Sequence, residues 1–203
     1  MNKNFRIVDF FSRIVDLLIL NLLFVITSLP IITLGASLCA LFATSQKMVR
    51  NEESYIIRNY FHAFRLNFNR GTVSMILFIF SFIILFTNLY ISILNTGLFF
   101  VIHRTLSLTF IFILSLYFLY YFPILARFQF NYRQILLHIP HMIISYPMYT
   151  FFLLALNIPL LFFFIYSHYT AVAFLFFMFL TGFSVITYIE SFIFRKIFEN
   201  YEI

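Results

Sequence analysis

GTVSMILFIFSFIILFTNLYISILNTGLFFVIH, residues 71–103, contains no Asp, Glu, Lys or Arg. A bilayer core is about 30 Å thick, so one helical crossing needs roughly 20 apolar residues. Lipid offers no partner to backbone N–H and C=O groups, so a crossing must be a helix or part of a closed barrel. Barrel strands alternate polar and apolar side chains. LFFFIY (161–166) and FLFFMFL (174–180) do not alternate. Outward from the first run the pattern repeats, because 17–46, 105–126 and 134–189 are also uncharged. Across all 203 residues, 63% are hydrophobic and 10% charged. Soluble domains average roughly 45–50% and about 25%. This gap excludes an ordinary soluble enzyme, a disordered tail and a nucleic-acid-binding domain. The lone Cys39 excludes a disulfide framework and a Cys-based zinc site.

The fold class is therefore all-α: a polytopic transmembrane helix bundle of five to six spans, forming a single integral membrane domain over 1–203. Clear spans are predicted at about 71–94, 105–126, 148–166 and 169–194. The last two form an antiparallel hairpin around Ser167 and His168. With no Trp, tyrosines such as Tyr90, Tyr120, Tyr121, Tyr146, Tyr149 and Tyr188 supply the interfacial belt. Segment 17–46 crosses once with a kink at Pro30, or forms two helices, about 8–29 and 34–48, joined by Pro30-Ile31-Ile32-Thr33. One crossing divides the 13 basic residues nine to four across the membrane, whereas two helices divide them twelve to one, leaving Arg104 alone outside. The positive-inside rule favours the two helices, with both termini on the cytoplasmic side of the cell membrane. Arg6, Asp9, Arg13 and Asp16 then form one stripe of alternating sign whose members can pair. Asp9, Asp16 and the segment's length argue against a cleaved signal peptide.

Residues 47–70 are the long hydrophilic stretch. Asn51 can cap a helix, with Glu52 and Glu53 in its first turn. A cytoplasmic amphipathic helix is expected over about 52–68. Ile56, Ile57, Tyr60, Phe61, Phe64 and Phe68 share one face; Arg58, His62, Arg65 and Asn69 share the other. Such a helix lies in the membrane interface or docks a cytoplasmic partner, with Arg58, His62 and Arg65 as the candidate docking residues. Nucleic acid is not an expected partner, because the positive-inside rule already accounts for these basic residues and for the net charge of +6. A second stretch, 127–147, reads as a short interfacial helix.

Catalytic chemistry is sparse. No Asp or Glu occurs between Glu53 and Glu190, and there is no phosphate-binding loop or HExxH. His138 and His141 flank Pro140 with no acid nearby, so no metal site is expected there. Gly182-Phe183-Ser184 lacks the second glycine of a nucleophile turn, and a helix contact is its ordinary use. The expectation is no enzyme and no cofactor. Asn21, Asn88 and Asn157 can hydrogen-bond between helices, and Ala36, Ala40 and Thr44 form a small-residue stripe suited to close packing. Glu190 is the one acid inside the last hydrophobic segment. It is a candidate intramembrane ionisable site, expected to reach interfacial water or to pair with Arg127 or Arg133.

One stretch is more specific. Asn21-Leu22-Leu23, Ser28-Leu29-Pro30, Thr33-Leu34-Gly35, Ala40-Leu41, Val49 to Glu53, Phe61-His62-Ala63-Phe64 and Asn67-Phe68 follow in an order that resembles the YesL family of small bacterial membrane proteins. The likeness covers about residues 10–75. It implies a domain of unknown function, often encoded beside carbohydrate ABC importers, and hence an accessory role in sugar uptake with importer subunits as candidate partners. It carries over no catalytic or binding residues. Physically, Pro30 ends one helix, Thr33 can cap the next, and Gly35 lets that helix pack closely. With Asn21, these form a candidate structural motif. The competing reading is a small transporter or permease subunit. Against it, no EAA-type coupling loop is found, and Pro30 and Pro159 do not fall at equivalent positions of two halves.

Overall fold

The computed structural model describes residues 3–52, 55–128, 130–166 and 168–199, and the side chains of these except 3–10 and 158–170. Expectations for Glu53, Ser54, the Arg6–Asp9 pair, the Pro159 ring and the Ser167–His168 turn fall outside the described residues. All regular structure among the described residues is helical. In chain order the helices are α1 (Lys3–Ser28), α2 (Leu34–Val49), α3 (Ile56–Leu94), α4 (Leu98–Arg127), α5 (Tyr132–Ser145), α6 (Pro147–Tyr166), α7 (His168–Phe177) and α8 (Phe183–Glu199). A 3-10 turn, Ile31–Thr33, joins α1 to α2, and a wide π turn, Met178–Gly182, joins α7 to α8. Among the described residues, five helices are long and apolar enough to cross a membrane, or six if α5 with the first half of α6, bent by 100°, is one span.

One helix ends just before Pro30 and the next begins at Leu34, beside Gly35. Pro30 lacks an N–H and its carbonyl accepts from the Thr33 N–H at 2.9 Å, which closes a turn. Thr33 sits at the α2 N-cap position without capping it. Its hydroxyl donates backwards instead, to Thr27 O at 2.6 Å and Pro30 O at 2.7 Å. It therefore satisfies the open carbonyl end of α1 rather than the open N–H end of α2.

Asn51 also acts at the opposite helix end from the one expected. It adopts φ 56, and its N–H donates to Met48 O at 3.1 Å while Glu52 N–H donates to Lys47 O at 3.0 Å. This is a Schellman stop to α2, for which Asn tolerates the left-handed conformation. The N-cap position of α3 is Tyr55.

The amphipathic segment and the following span are one helix. Nothing between Asn69 and Val73 stops it, because Gly71 costs only about 1 kcal/mol in a helix interior. Gly71 instead provides a crossing point. A Cβ on Gly71 would lie 2.8 Å from the Gly35 carbonyl oxygen, and a Cβ on Gly35 would strike the Gly71 carbonyl. Only glycine at both positions lets these backbones touch. At 39 residues, α3 is about 58 Å long for a rise of about 1.5 Å per residue. That is nearly twice the bilayer core. Its charge-free part begins at Gly71, so the charged part, 56–70, extends beyond the core.

The core centres on α2, where thirteen of sixteen residues are buried, including Ala36, Ala40 and Thr44. One cluster joins Leu20 and Phe24 of α1 to Ala40, Leu41 and Met48 of α2 and to Tyr60 and Ala63 of α3. The other joins Phe42, Phe78, Tyr120, Phe122, Ile139, Leu153 and Phe194, from α2 to α6 and α8. Tyr120 and Tyr121 are buried core residues rather than part of the interfacial belt. Their hydroxyls bond Thr150 at 2.7 Å and Ser74 at 2.6 Å, which is what a buried phenol requires.

Candidate functional site

Arg58, His62 and Arg65 are exposed. Their spacing of four and three residues places them on one side of α3. The opposite side, Tyr60 and Ala63, is buried against α1 and α2, with the Tyr60 hydroxyl bonded to that of Thr27. Of the predicted apolar face, Tyr60 is thus committed to the protein's own core, with Ile56 and Phe64 packed against it. A flank of exposed apolar residues, Ile57, Phe61 and Phe68, borders the basic stripe.

Asn21 is fully buried and reaches a different element from any the sequence suggests. Its Nδ2 donates to Met178 O at 3.1 Å and to Phe179 O at 2.7 Å, and its Oδ1 accepts from Ser184 N–H at 3.1 Å. A π turn displaces the regular helical ladder. One amide side chain carries both a donor and an acceptor and satisfies groups on both sides of this one. Ser184 is buried, and its hydroxyl donates to Thr181 O at 2.9 Å.

Glu190 is buried, 3% exposed, on α8. Asn157 of α6 donates Nδ2 to its Oε1 at 2.6 Å, so an amide, not an arginine, meets the carboxyl. Of the histidines, His138 stacks on Phe130 with ring centroids 5.1 Å apart, and His141 Nδ1 lies 3.4 Å from the Ser145 hydroxyl. Among the described residues no group of three or more His, Cys, Asp or Glu side chains converges.

The sequence reading missed a polar cavity of about 240 Å³ where α2, α4 and α8 end together. Arg50, Arg127 and Arg195 line it, with Glu52, Glu199, Gln46 and Ser191. Gln46 on its wall donates to Pro123 O at 3.1 Å. The signal available in the sequence was an arginine close to the end of three separate apolar helices: Arg50 just past α2, Arg127 in the last turn of α4 and Arg195 one turn before the end of α8.

The family model described as "Protein of unknown function, DUF624" matches residues 17–89. The chain is a helical membrane protein, and this part of it resembles a family of unknown function. No curated protein matches it, and no solved structure does. The matched stretch holds Asn21, Pro30, Thr33, Gly35, Gly71 and the stripe of Arg58, His62 and Arg65. Arg127, Glu190 and Arg195 lie beyond it.

Proposed function

We propose that this is a non-enzymatic accessory membrane protein of the YesL kind, linked to carbohydrate ABC import and seated in the cell membrane. The observation that carries the reading is the stripe Arg58–His62–Arg65 on the part of α3 that extends past the bilayer core. The other side of the helix is already consumed by the core, so the stripe is free to meet a partner. Its charge calls for an acidic partner surface, and the apolar flank of Ile57 and Phe61 supplies the desolvated contact that such interfaces need. The link to sugar import rests on the family resemblance, which makes importer subunits the first partners to test.

The experiment is co-purification from source-cell membranes in mild detergent with a C-terminal tag. Stoichiometric importer subunits are expected with the parent chain, and Arg58→Glu with Arg65→Glu should abolish their recovery while leaving the melting temperature unchanged. Recovery of the same partners by the double variant would remove this stripe as the docking surface. Recovery of the chain alone would remove the accessory role.

A second reading, a small transporter, is favoured by one observation: the buried Glu190–Asn157 pair between α6 and α8. Sugar uptake by vesicles holding this chain alone, lost in Glu190→Gln, would replace the accessory reading.

A further inference from the structure

The cavity at the joint ends of α2, α4 and α8 has a composition that its structural duties do not exhaust. Three helix C-termini converge there, each the negative end of a helix dipole. Arginines are the expected complement. Arg50 Nε donates to Gln46 O at 3.3 Å and Arg195 Nη1 donates to Val49 O at 3.2 Å. Each also meets a carboxylate: Arg50 Nη2 to Glu52 at 3.0 Å and Arg195 Nε to Glu199 at 2.7 Å. An arginine has five N–H donors. Arg50 spends one on Nε and one on Nη2, and Arg195 one on Nε and one on Nη1, which leaves three on each among the described residues.

The carboxylates are weakly held. Glu52 is two residues from Arg50, Glu199 is four from Arg195, and their side chains are 53% and 55% exposed. Exposed pairs of this kind are weak in water, so either carboxylate can swing into solvent at little cost. With both turned away, Arg50 and Arg195 present their remaining donors to one cavity of about 240 Å³, which Arg127 also lines. Guanidinium forks match the paired oxygens of a phosphate. The cavity also lies at the end of the bundle that holds nearly all the basic residues, the end at which anionic headgroups gather.

We propose that this cavity is a phosphate-binding site, filled by the headgroup of an anionic phospholipid or by a soluble phosphate. The site is independent of the docking stripe, which lies on α3 and contributes nothing to it.

The test uses the full chain purified in mild detergent. Native mass spectrometry reads retained phosphatidylglycerol against phosphatidylcholine, and calorimetry reads inorganic phosphate. Arg50→Gln with Arg195→Gln is expected to weaken binding about tenfold or more, because it removes charge-assisted hydrogen bonds to the phosphate. Arg70→Gln with Arg133→Gln, which removes two exposed charges outside the cavity, leaves binding unchanged. Selective retention of phosphatidylglycerol that depends on Arg50 and Arg195 identifies a lipid headgroup as the ligand. Saturable inorganic phosphate binding with the same dependence identifies a soluble one. If the arginine variant fails to fold, Glu52→Gln with Glu199→Gln reads the same site in the opposite direction, because it leaves the guanidiniums uncompensated and tightens binding. Affinity that is unmoved in both pairs, or equally weakened by Arg70→Gln with Arg133→Gln, overturns the site.

Discussion

Asn21 and Gly35 belong to one short motif, and each has a job that a single substitution can isolate. Asn21→Leu keeps the volume and removes every hydrogen bond to the π turn, leaving two carbonyls and the Ser184 N–H without their partner. A buried polar group left unsatisfied costs about 1–3 kcal/mol, so the variant should lose about 2–4 kcal/mol. The measurement is thermal melting in detergent, where about 1 kcal/mol shifts Tm by roughly 2–4 °C for a chain of this size. Melting together with the parent would mean that water takes over these bonds. Gly35→Ala tests packing. Its new Cβ would meet the Gly71 carbonyl and lie 2.7 Å from Met75 Cβ. Backbone cannot step aside as a side chain can, so overpacking should cost about 1–3 kcal/mol. Gly182→Ala is the comparison: its Cβ would lie 2.6 Å from Met178 Sδ, the far part of a flexible side chain. The Gly35 variant is expected to melt lower than the Gly182 variant. The reverse order would show that the α2–α3 crossing relaxes easily.

The α1–α2 hairpin raises a question that helix length alone does not answer. Both helices are long and apolar enough to cross. Yet the start of α2 touches α3 at Gly71, and α3 runs on to Leu94, about 35 Å further at about 1.5 Å per residue. The tip is also apolar and exposed: Leu29 75%, Ile31 69%, Ile32 64%. A turn that emerged into water would be polar; one that stops inside the bilayer has this composition. We therefore expect Ile31→Cys to resist a membrane-impermeant maleimide from both sides, while Asn95→Cys, in the α3–α4 turn, reacts from outside. Cys39 is buried and adds little background. Labelling of Ile31→Cys from outside would establish two full crossings. Helix existence here was legible from charge-free runs and from Pro30, because those depend on local composition. The continuity of α3 was not, since a glycine after an arginine reads equally as a break or as a contact, and only the Gly35 partner decides. Asn51 misled for a similar reason: asparagine suits both the start of a helix and the left-handed stop after one.

Across the molecule, charge is the organising quantity. Arg13 donates to Asn51 Oδ1 at 2.6 Å, which ties the start of α1 to the end of α2; Arg195 bonds Val49 O, which brings the end of α8 to the same place. Arg127 joins them in the polar cavity. At the opposite end Arg104 closes the α3–α4 turn by donating to Ser92 O at 2.9 Å. The one-sidedness was legible by counting residues along the chain. The cavity was not, because Arg50, Arg127 and Arg195 are far apart in sequence and no local pattern links them. Such asymmetry fixes orientation through the cost of moving arginines across the membrane. It predicts that reporters fused before α1 and after α8 both face the cytoplasm. With bent α5–α6 counted as one span, the result is the same whether the α1–α2 hairpin crosses twice or turns back inside the bilayer, because both give an even number of crossings. It differs only if α1 and α2 form a single kinked span, which would put the N-terminus outside and place Arg13 on the opposite side from Asn51, the residue it bonds. Reporter activity of the N-terminal fusion outside the cell would therefore contradict the hairpin itself, and with it the close contact of Gly35 and Gly71.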